Sequence, residues 1–430
     1  MPSRFTILLV LLSGLLLSCE EQGNLSRPLD VCSVEEQNRF VHEVLLERYF
    51  WYQEVPSSID YGAFTSPEQT LSALRFDALD RFSNITNAAA FNNLLNAGQF
   101  IGYGFSVHIE NDDSAWIRFV YDDSPAARAG MQRGQQIQVI NGRPVAQILR
   151  DNAFNSIFGP PELDYPLTIS LRDEEGADLD LSLEKAVVNI NTVLHHSVVS
   201  NGSENVGYLV FNSFLSTSNA ELEQVFSEFS SANIRKLVLD LRYNGGGSVS
   251  VAANLASYLY RSHQQDDIFA TLIHNDKNQP RNATFRFNTL ANALDLEQVI
   301  MIATEATCSA SELVINGLQP FIDVRVVGNT TCGKPVGFNG FQFCDKLLLP
   351  VTFSSFNQNN EGDFFAGLAP ECSVNDDIHE EFGAQSEPML VQALHLSNTN
   401  GCLTSSRALV TPQAKQPYPV NSLRAISGAY

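Results

Sequence analysis

Basic residues are scarce in this sequence. Lysine and arginine together number 26 against 48 aspartates and glutamates, a formal charge of −22. Nucleic-acid binding wants basic stripes, so this balance argues against it. The charge favours solubility beside a surface rather than a particular partner. There is no C-x-x-C pair and no histidine-rich spacing, hence no zinc motif, and nothing implies a cofactor. No fixed-period repeat appears, which removes solenoids and propellers. Beyond the first 18 residues no segment is long and apolar enough to read as a membrane span.

Those first residues, MPSRFTILLVLLSGLLLS, hold one arginine, an apolar run and then Leu16-Leu17-Ser18-Cys19. The run is short for a span, and the pattern is similar to a bacterial lipoprotein signal. Residues 1–18 are therefore expected to be removed and Cys19 to carry lipid. Residues 19–30 are read as a polar tether, and the protein as anchored in a bacterial cell envelope, on its periplasmic face or the cell surface. An ordinary signal peptide followed by an incidental cysteine is the alternative. Six further cysteines permit up to three disulfides in an exported chain. Cys372 is expected to pair with Cys402, and two of Cys308, Cys332 and Cys344 with each other.

A length of 430 residues with 44% hydrophobic content can bury two or three cores. The stretch Ala306–Lys334 organises the chain. An apolar strand, Gln298–Ala303, turns through Ser309-Ala310-Ser311 into a helix carrying Leu313, Val314, Ile315 and Leu318. A second strand, Val324–Val327, leads towards Gly333-Lys334. Small residues between a buried strand and a helix can present a hydroxyl beside outward-facing N–H groups. Ser309 is the candidate nucleophile and Lys334 the candidate base, since a lysine can activate serine once burial lowers its pKa. On this stretch alone, Ser309 and Ser311 as plain helix caps and Lys334 as a solvated loop lysine remain open. Upstream, the strand KLVLDL runs into Asn244-Gly245-Gly246-Gly247, where glycines allow the close backbone approach an oxyanion hole needs.

Taken together, Asp240-Leu241-Arg242-Tyr243-Asn244-Gly245-Gly246, Ser309-Ala310-Ser311-Glu312 and Gly333-Lys334 resemble the motifs of the carboxy-terminal processing peptidases, the tail-specific serine proteases. The Ser309-to-Lys334 spacing is also that family's. Ser124–Val145 (SPAARAGMQRGQQIQVINGRPV) resembles a PDZ domain, with a short helix from Pro125, the Gly130-Met131 turn and a strand closed by Asn141-Gly142. The resemblance implies a layered α/β serine-peptidase core, crotonase/ClpP-like, with an inserted PDZ-like β-rich domain and an N-terminal helical cap. On this reading residues 31–95 are the mainly helical cap, 96–188 the PDZ-like domain, 189–402 the peptidase core and 403–430 a tail.

It also implies an endopeptidase using a Ser309–Lys334 dyad, with Gly246, Gly247 and Ala310 as oxyanion donors. Polypeptide tails would add to a PDZ strand, their carboxylate held near Gly102, Tyr103, Gly104 and Phe105. One departure stands out: the family often places a glutamine four positions after the lysine, and here that position is Phe338. Glu312 is expected to bond nearby backbone. Cys308 is a rival nucleophile, without a visible His/Asn arrangement. His195, His196, His263 and His274 lie in the core region, and none is singled out by its flanks. A non-catalytic peptide- or ligand-binding lipoprotein on the same fold is the alternative function.

Overall fold

The computed structural model describes residues 32–403, apart from 112, 174 and 203. One six-stranded sheet has the order 193–201, 204–211, 236–240, 298–303, 323–328 and 372–373. The first two pair antiparallel and the rest parallel. A strand covered on both faces reads as an unbroken apolar run. Gln298–Ala303 (QVIMIA) is buried at every position. Helices Ser218–Ser231, Val249–Leu259 and Ala310–Leu318 cover one face with a core that includes Phe226, Leu255 and Val314. Pro388–Thr399 covers the other through Met389, Leu390, Ala393 and Leu396. The core is thus a layered α/β unit.

Parallel topology places the site. Strands Lys236–Asp240 and Gln298–Ala303 are neighbours, with Asp240 opposite Ile302. Their carboxyl ends therefore release two adjacent loops, one carrying the glycine run and one carrying Ser309. In open α/β sheets this edge is where ligands bind. The chain then returns along Asp323–Gly328 and delivers Lys334 ahead of Val336–Phe338, which joins a separate four-stranded sheet with 268–274, 283–286 and 351–356.

A buried charge cluster braces the end of strand Lys236–Asp240. Arg242 is fully buried and bonds Asp240, both carboxylate oxygens of Glu387 and Asp376, at 2.6–3.0 Å. Glu387 in turn caps helix Pro388–Thr399, accepting the N–H groups of Met389 and Leu390. Burial disfavours the Asp376 carboxylate, but Arg242 and Arg133 override it and hold Asp376 well below the usual carboxylate range. Removing one member of such a cluster strands the others as uncompensated buried charge. Arg242→Ala is accordingly expected to cost about 3–5 kcal/mol in urea unfolding. A loss under about 1 kcal/mol would contradict this account of the brace.

Residues 105–110, 114–120, 136–140, 166–172 and 178–184 form a five-strand antiparallel sheet, with 143–144 added against 136–140. Strand Ser114–Val120 alternates in burial, as a half-covered strand should. Asn141 and Gly142 both have positive φ, 50° and 74°, the two-residue hairpin turn that such a pair favours. This sheet is the PDZ-like unit, and Phe105–Glu110 is an edge strand. The amino-terminal region contributes helices Val34–Arg48 and Pro67–Leu74 as expected, and also a strand, Asn84–Asn87, paired with Lys346–Leu349. Two of its aromatic residues, Phe40 and Tyr49, pack against the core domain's Phe343 and Val351 in one cluster.

Candidate active site

Ser309 stands at the N-cap of helix Ala310–Leu318 with φ 57° and ψ −113°, a strained conformation for any residue but glycine. Glu312 compensates locally by accepting the Ser309 N–H at 2.9 Å. Ser311 Oγ and the Cys308 N–H both donate to the Asn244 carbonyl, at 2.9 and 3.0 Å, which fastens the Ser309 turn to the glycine loop. Gly246 (φ 104°) lies so close that a Cβ there would meet Ser309 Cβ and the Cys308 carbonyl at 2.9 Å. Only glycine allows that approach.

The backbone of the glycine loop is not uniformly free. Asn244 Oδ1 accepts the Gly246 N–H at 2.9 Å. Gly247 bridges Phe214 through the Gly246 carbonyl and the Ser248 N–H, so neither bond uses the Gly247 N–H. Ala310 opens the nucleophile helix, and its N–H has no acceptor within that helix. The available donors are thus Gly247 and Ala310. Gly246, expected from sequence to be a third, instead makes room for the turn.

Lys334 is 6% exposed, and its Nζ lies 4.4 Å from the centre of the Phe338 ring and 5.4 Å from that of Phe82. Burial pushes its pKa down to about 8, against the opposing pull of Asp80 and Glu312. Glu312 is itself fully buried and accepts the N–H groups of Gly333 and Lys334 at 2.8 Å, with the Thr331 hydroxyl at 2.5 Å. Its pKa is raised by burial, with those hydrogen bonds opposing. One carboxylate therefore holds both the nucleophile turn and the lysine loop.

Ser309, Ala310, Gly247 and Lys334 line a single cleft of about 480 Å³ whose walls include Phe285, Leu313, Phe338 and Phe353. Ser309 is half-buried at this cleft. No hydrogen bond joins Ser309 Oγ to Lys334 Nζ in this conformation. No histidine lines the cleft: His195 bonds Ser197, His196 bonds Glu228, His274 bonds Asn339, and His263 stacks on Phe287. Cys308 is joined to Cys332 in a disulfide and cannot serve as a thiolate nucleophile in this state.

Residues 205–374 match the model of peptidase family S41, residues 36–84 that of the S41 N-terminal domain, and residues 95–171 that of the PDZ domain. Over these segments the chain is similar to peptidase family S41. It is 27% identical over 257 residues to the probable CtpA-like serine protease of Staphylococcus aureus strain bovine RF122 / ET3-1, covering 60% of this chain and 49% of that protein. The chain thus spans about half the length of the curated relatives it matches. A crystallised protein of Bacteroides fragilis NCTC 9343, assigned as an S41 protease, superposes with a TM-score of 0.69 at 24% identity, covering 84% of this chain and 97% of that one. The photosystem II D1 C-terminal processing protease gives 0.51 at 18% identity, covering 80% and 94%.

One contribution to this site comes from residues far away in sequence. Arg81 Nη2 donates to the carbonyls of Cys332, Gly333 and Phe365, at 2.6, 3.2 and 3.3 Å. Phe82 is fully buried beneath Lys334, and Asp80 accepts from Tyr49, Phe82 and Ser83 to set the turn. The segment Asp80–Ser83 is thus part of the lysine's surroundings. Its partners lie some 250 positions away, so nothing local marks it. In the PDZ-like unit, Gly102, Tyr103, Gly104 and Phe105 are all buried. The carbonyls of Tyr103 and Gly104 accept from Ala126 and Tyr121. These four residues lead into the edge strand Phe105–Glu110. Cys19 and residues 404–430 lie outside the described residues.

Proposed function

We propose that this chain is a serine endopeptidase that hydrolyses extended polypeptides at Ser309 with Lys334 as general base. The observation that carries it is a half-buried serine and a buried lysine, its pKa lowered to about 8, sharing one cleft with Gly247 and Ala310, whose N–H groups donate to no protein acceptor among the described residues. Neutral Lys334 Nζ takes the Ser309 proton as Oγ bonds to the scissile carbonyl carbon. Negative charge developing on the carbonyl oxygen is met by the N–H groups of Gly247 and Ala310. The lysine ammonium then gives its proton to the departing amine, and the C–N bond breaks to leave an acyl ester. Water, deprotonated by Lys334, releases the acid and restores Ser309. A small closure of the lysine side chain onto Ser309 is required, as such bonds often tighten only with substrate bound.

The apolar cleft walls favour substrates with apolar side chains beside the cut. The open edge of strand Phe105–Glu110 supports capture of a polypeptide tail by β-augmentation, with its carboxylate near Gly102–Phe105. Three disulfides and the Leu16-Leu17-Ser18-Cys19 pattern support a lipid-anchored protein of the bacterial cell envelope.

A fluorophosphonate probe, which reacts with activated serines, tests this directly. Peptide mapping is expected to find one adduct, on Ser309. Absence of labelling, or an adduct on another serine, would overturn the assignment.

A further inference from the structure

The proposed catalytic residues are each flanked by a cysteine. Cys308 immediately precedes Ser309, Cys332 stands two residues before Lys334, and the two are joined. Each half of this bond sits in a loop rather than in a helix or strand. Residues 330–335, which deliver the lysine, belong to no helix or strand. Their backbone is held by Glu312 and Arg81, by the Cys332 N–H bonded to the Thr307 carbonyl at 3.0 Å, by the Thr331 N–H bonded to the Leu368 carbonyl at 3.1 Å, and by the Pro335 carbonyl accepting from the Ser355 N–H at 2.9 Å. On the other side, Ser309 occupies a left-handed φ that persists only where its surroundings over-determine it.

We propose that the Cys308–Cys332 disulfide is a positioning element of the peptidase site, which sets Lys334 against Ser309 and whose reduction turns the enzyme off without unfolding it. This rests on the Ser309–Lys334 reading above. Glu312 links the same two loops through backbone N–H groups, but hydrogen bonds tolerate sliding that a covalent bridge forbids. A misplacement of about 1 Å in such a pair lowers the rate by about a hundredfold. The other two bridges do different work. Cys32–Cys344 joins the amino-terminal helix region to the hairpin after Phe343, and Cys372–Cys402 joins the edge of the mostly parallel sheet to the end of the last helix. Neither involves a loop that carries Ser309, Lys334 or the glycine run.

The bridge is also reachable. Cys308 is buried, whereas Cys332 is half-exposed, so a small dithiol can attack from that side. A dithiol reductant gives two electrons and two protons: the S–S bond breaks, Cys308 and Cys332 become thiols, and the reductant closes to its own disulfide. Activity is thereby confined to an oxidising compartment, and the chain stays inactive while its thiols are reduced.

The test uses the full chain, with kcat and KM measured on a fluorogenic apolar peptide. Cys308→Ala/Cys332→Ala is compared with Cys372→Ala/Cys402→Ala and with oxidised wild type. The first variant is expected to lose about a hundredfold in kcat with KM changed less than about threefold, and to show a displaced pH midpoint. The second is expected to keep the wild-type kcat. Brief native-state treatment of wild type with dithiothreitol should give the same loss, reversed on reoxidation, with folding followed by circular dichroism; this arm decides the matter if the variant does not fold. Wild-type kcat and pH midpoint in the first variant, or in the reduced enzyme, would overturn the proposal. Oxidised wild type without Ser309-dependent hydrolysis would overturn the underlying reading and this proposal with it, whereas failure of the positioning idea alone leaves that hydrolysis intact.

Discussion

Ser309→Ala is expected to lower kcat/KM on an unfolded protein substrate by about 10⁴-fold or more, while leaving the fold intact. The size follows from what remains without the hydroxyl. Gly247 and Ala310 still line the cleft, so binding and some polarisation of a carbonyl by their N–H groups should survive. No second nucleophile is poised to take over, because Cys308 is tied to Cys332 and Ser311 Oγ is buried against the Asn244 carbonyl. Stability should change by less than about 0.5 kcal/mol. It is the Ser309 N–H that bonds Glu312, and alanine keeps that bond. Cleavage at the wild-type rate by the purified variant would exclude Ser309 as the nucleophile.

Lys334→Met is expected to lower kcat/KM by about 10³-fold or more, since a serine without a base is a weak nucleophile at neutral pH. The same variant should gain stability. Lys334 has a folded pKa of about 8, below its ordinary value of 10.5. Between those values the unfolded chain binds more protons than the folded one, so wild-type stability rises with pH across that window. Below pH 8 the charged amine is carried in a buried site at its full cost, on the order of 3 kcal/mol. Methionine removes that cost and keeps the packing against Phe82 and Phe338. The stability gained should therefore be greatest below pH 8 and shrink towards pH 10.5, as read from denaturant midpoints at several pH values. A gain that grew with pH would show that the amine is not held neutral by burial.

The legible parts of this chain were those encoded by contiguous residues. The run QVIMIA forms the strand Gln298–Ala303 with the bounds its composition suggests, because a doubly covered parallel strand needs apolar residues at every position. The turn Ser309-Ala310-Ser311 and the Asn244–Gly247 loop were readable because small residues and glycines are required by the backbone itself. The pairs Cys372–Cys402 and Cys308–Cys332 agree with expectation, and Cys32 finds Cys344 across 312 positions.

Long-range side-chain contacts were not legible. Nothing local shows that Asn244 Oδ1 takes the Gly246 N–H, or that Arg81 reaches the lysine loop. The role of helix Pro388–Thr399, burying Met389 and Leu390 under the sheet, depends on topology and is not marked locally. Phe338 looked like the loss of an orienting group. In the fold its ring lies over Lys334, and desolvation is the largest contribution to that lysine's lowered pKa. An aromatic wall can thus favour a neutral amine without hydrogen-bonding it.

The dependence of kcat/KM on pH between about 6 and 10, measured on oxidised wild type, tests most directly whether a buried neutral amine drives the reaction. The rate should rise with unit slope and level off around a midpoint near 8, where Lys334 loses its proton. A flat profile, or a rise centred near the ordinary lysine value of 10.5, would contradict the account.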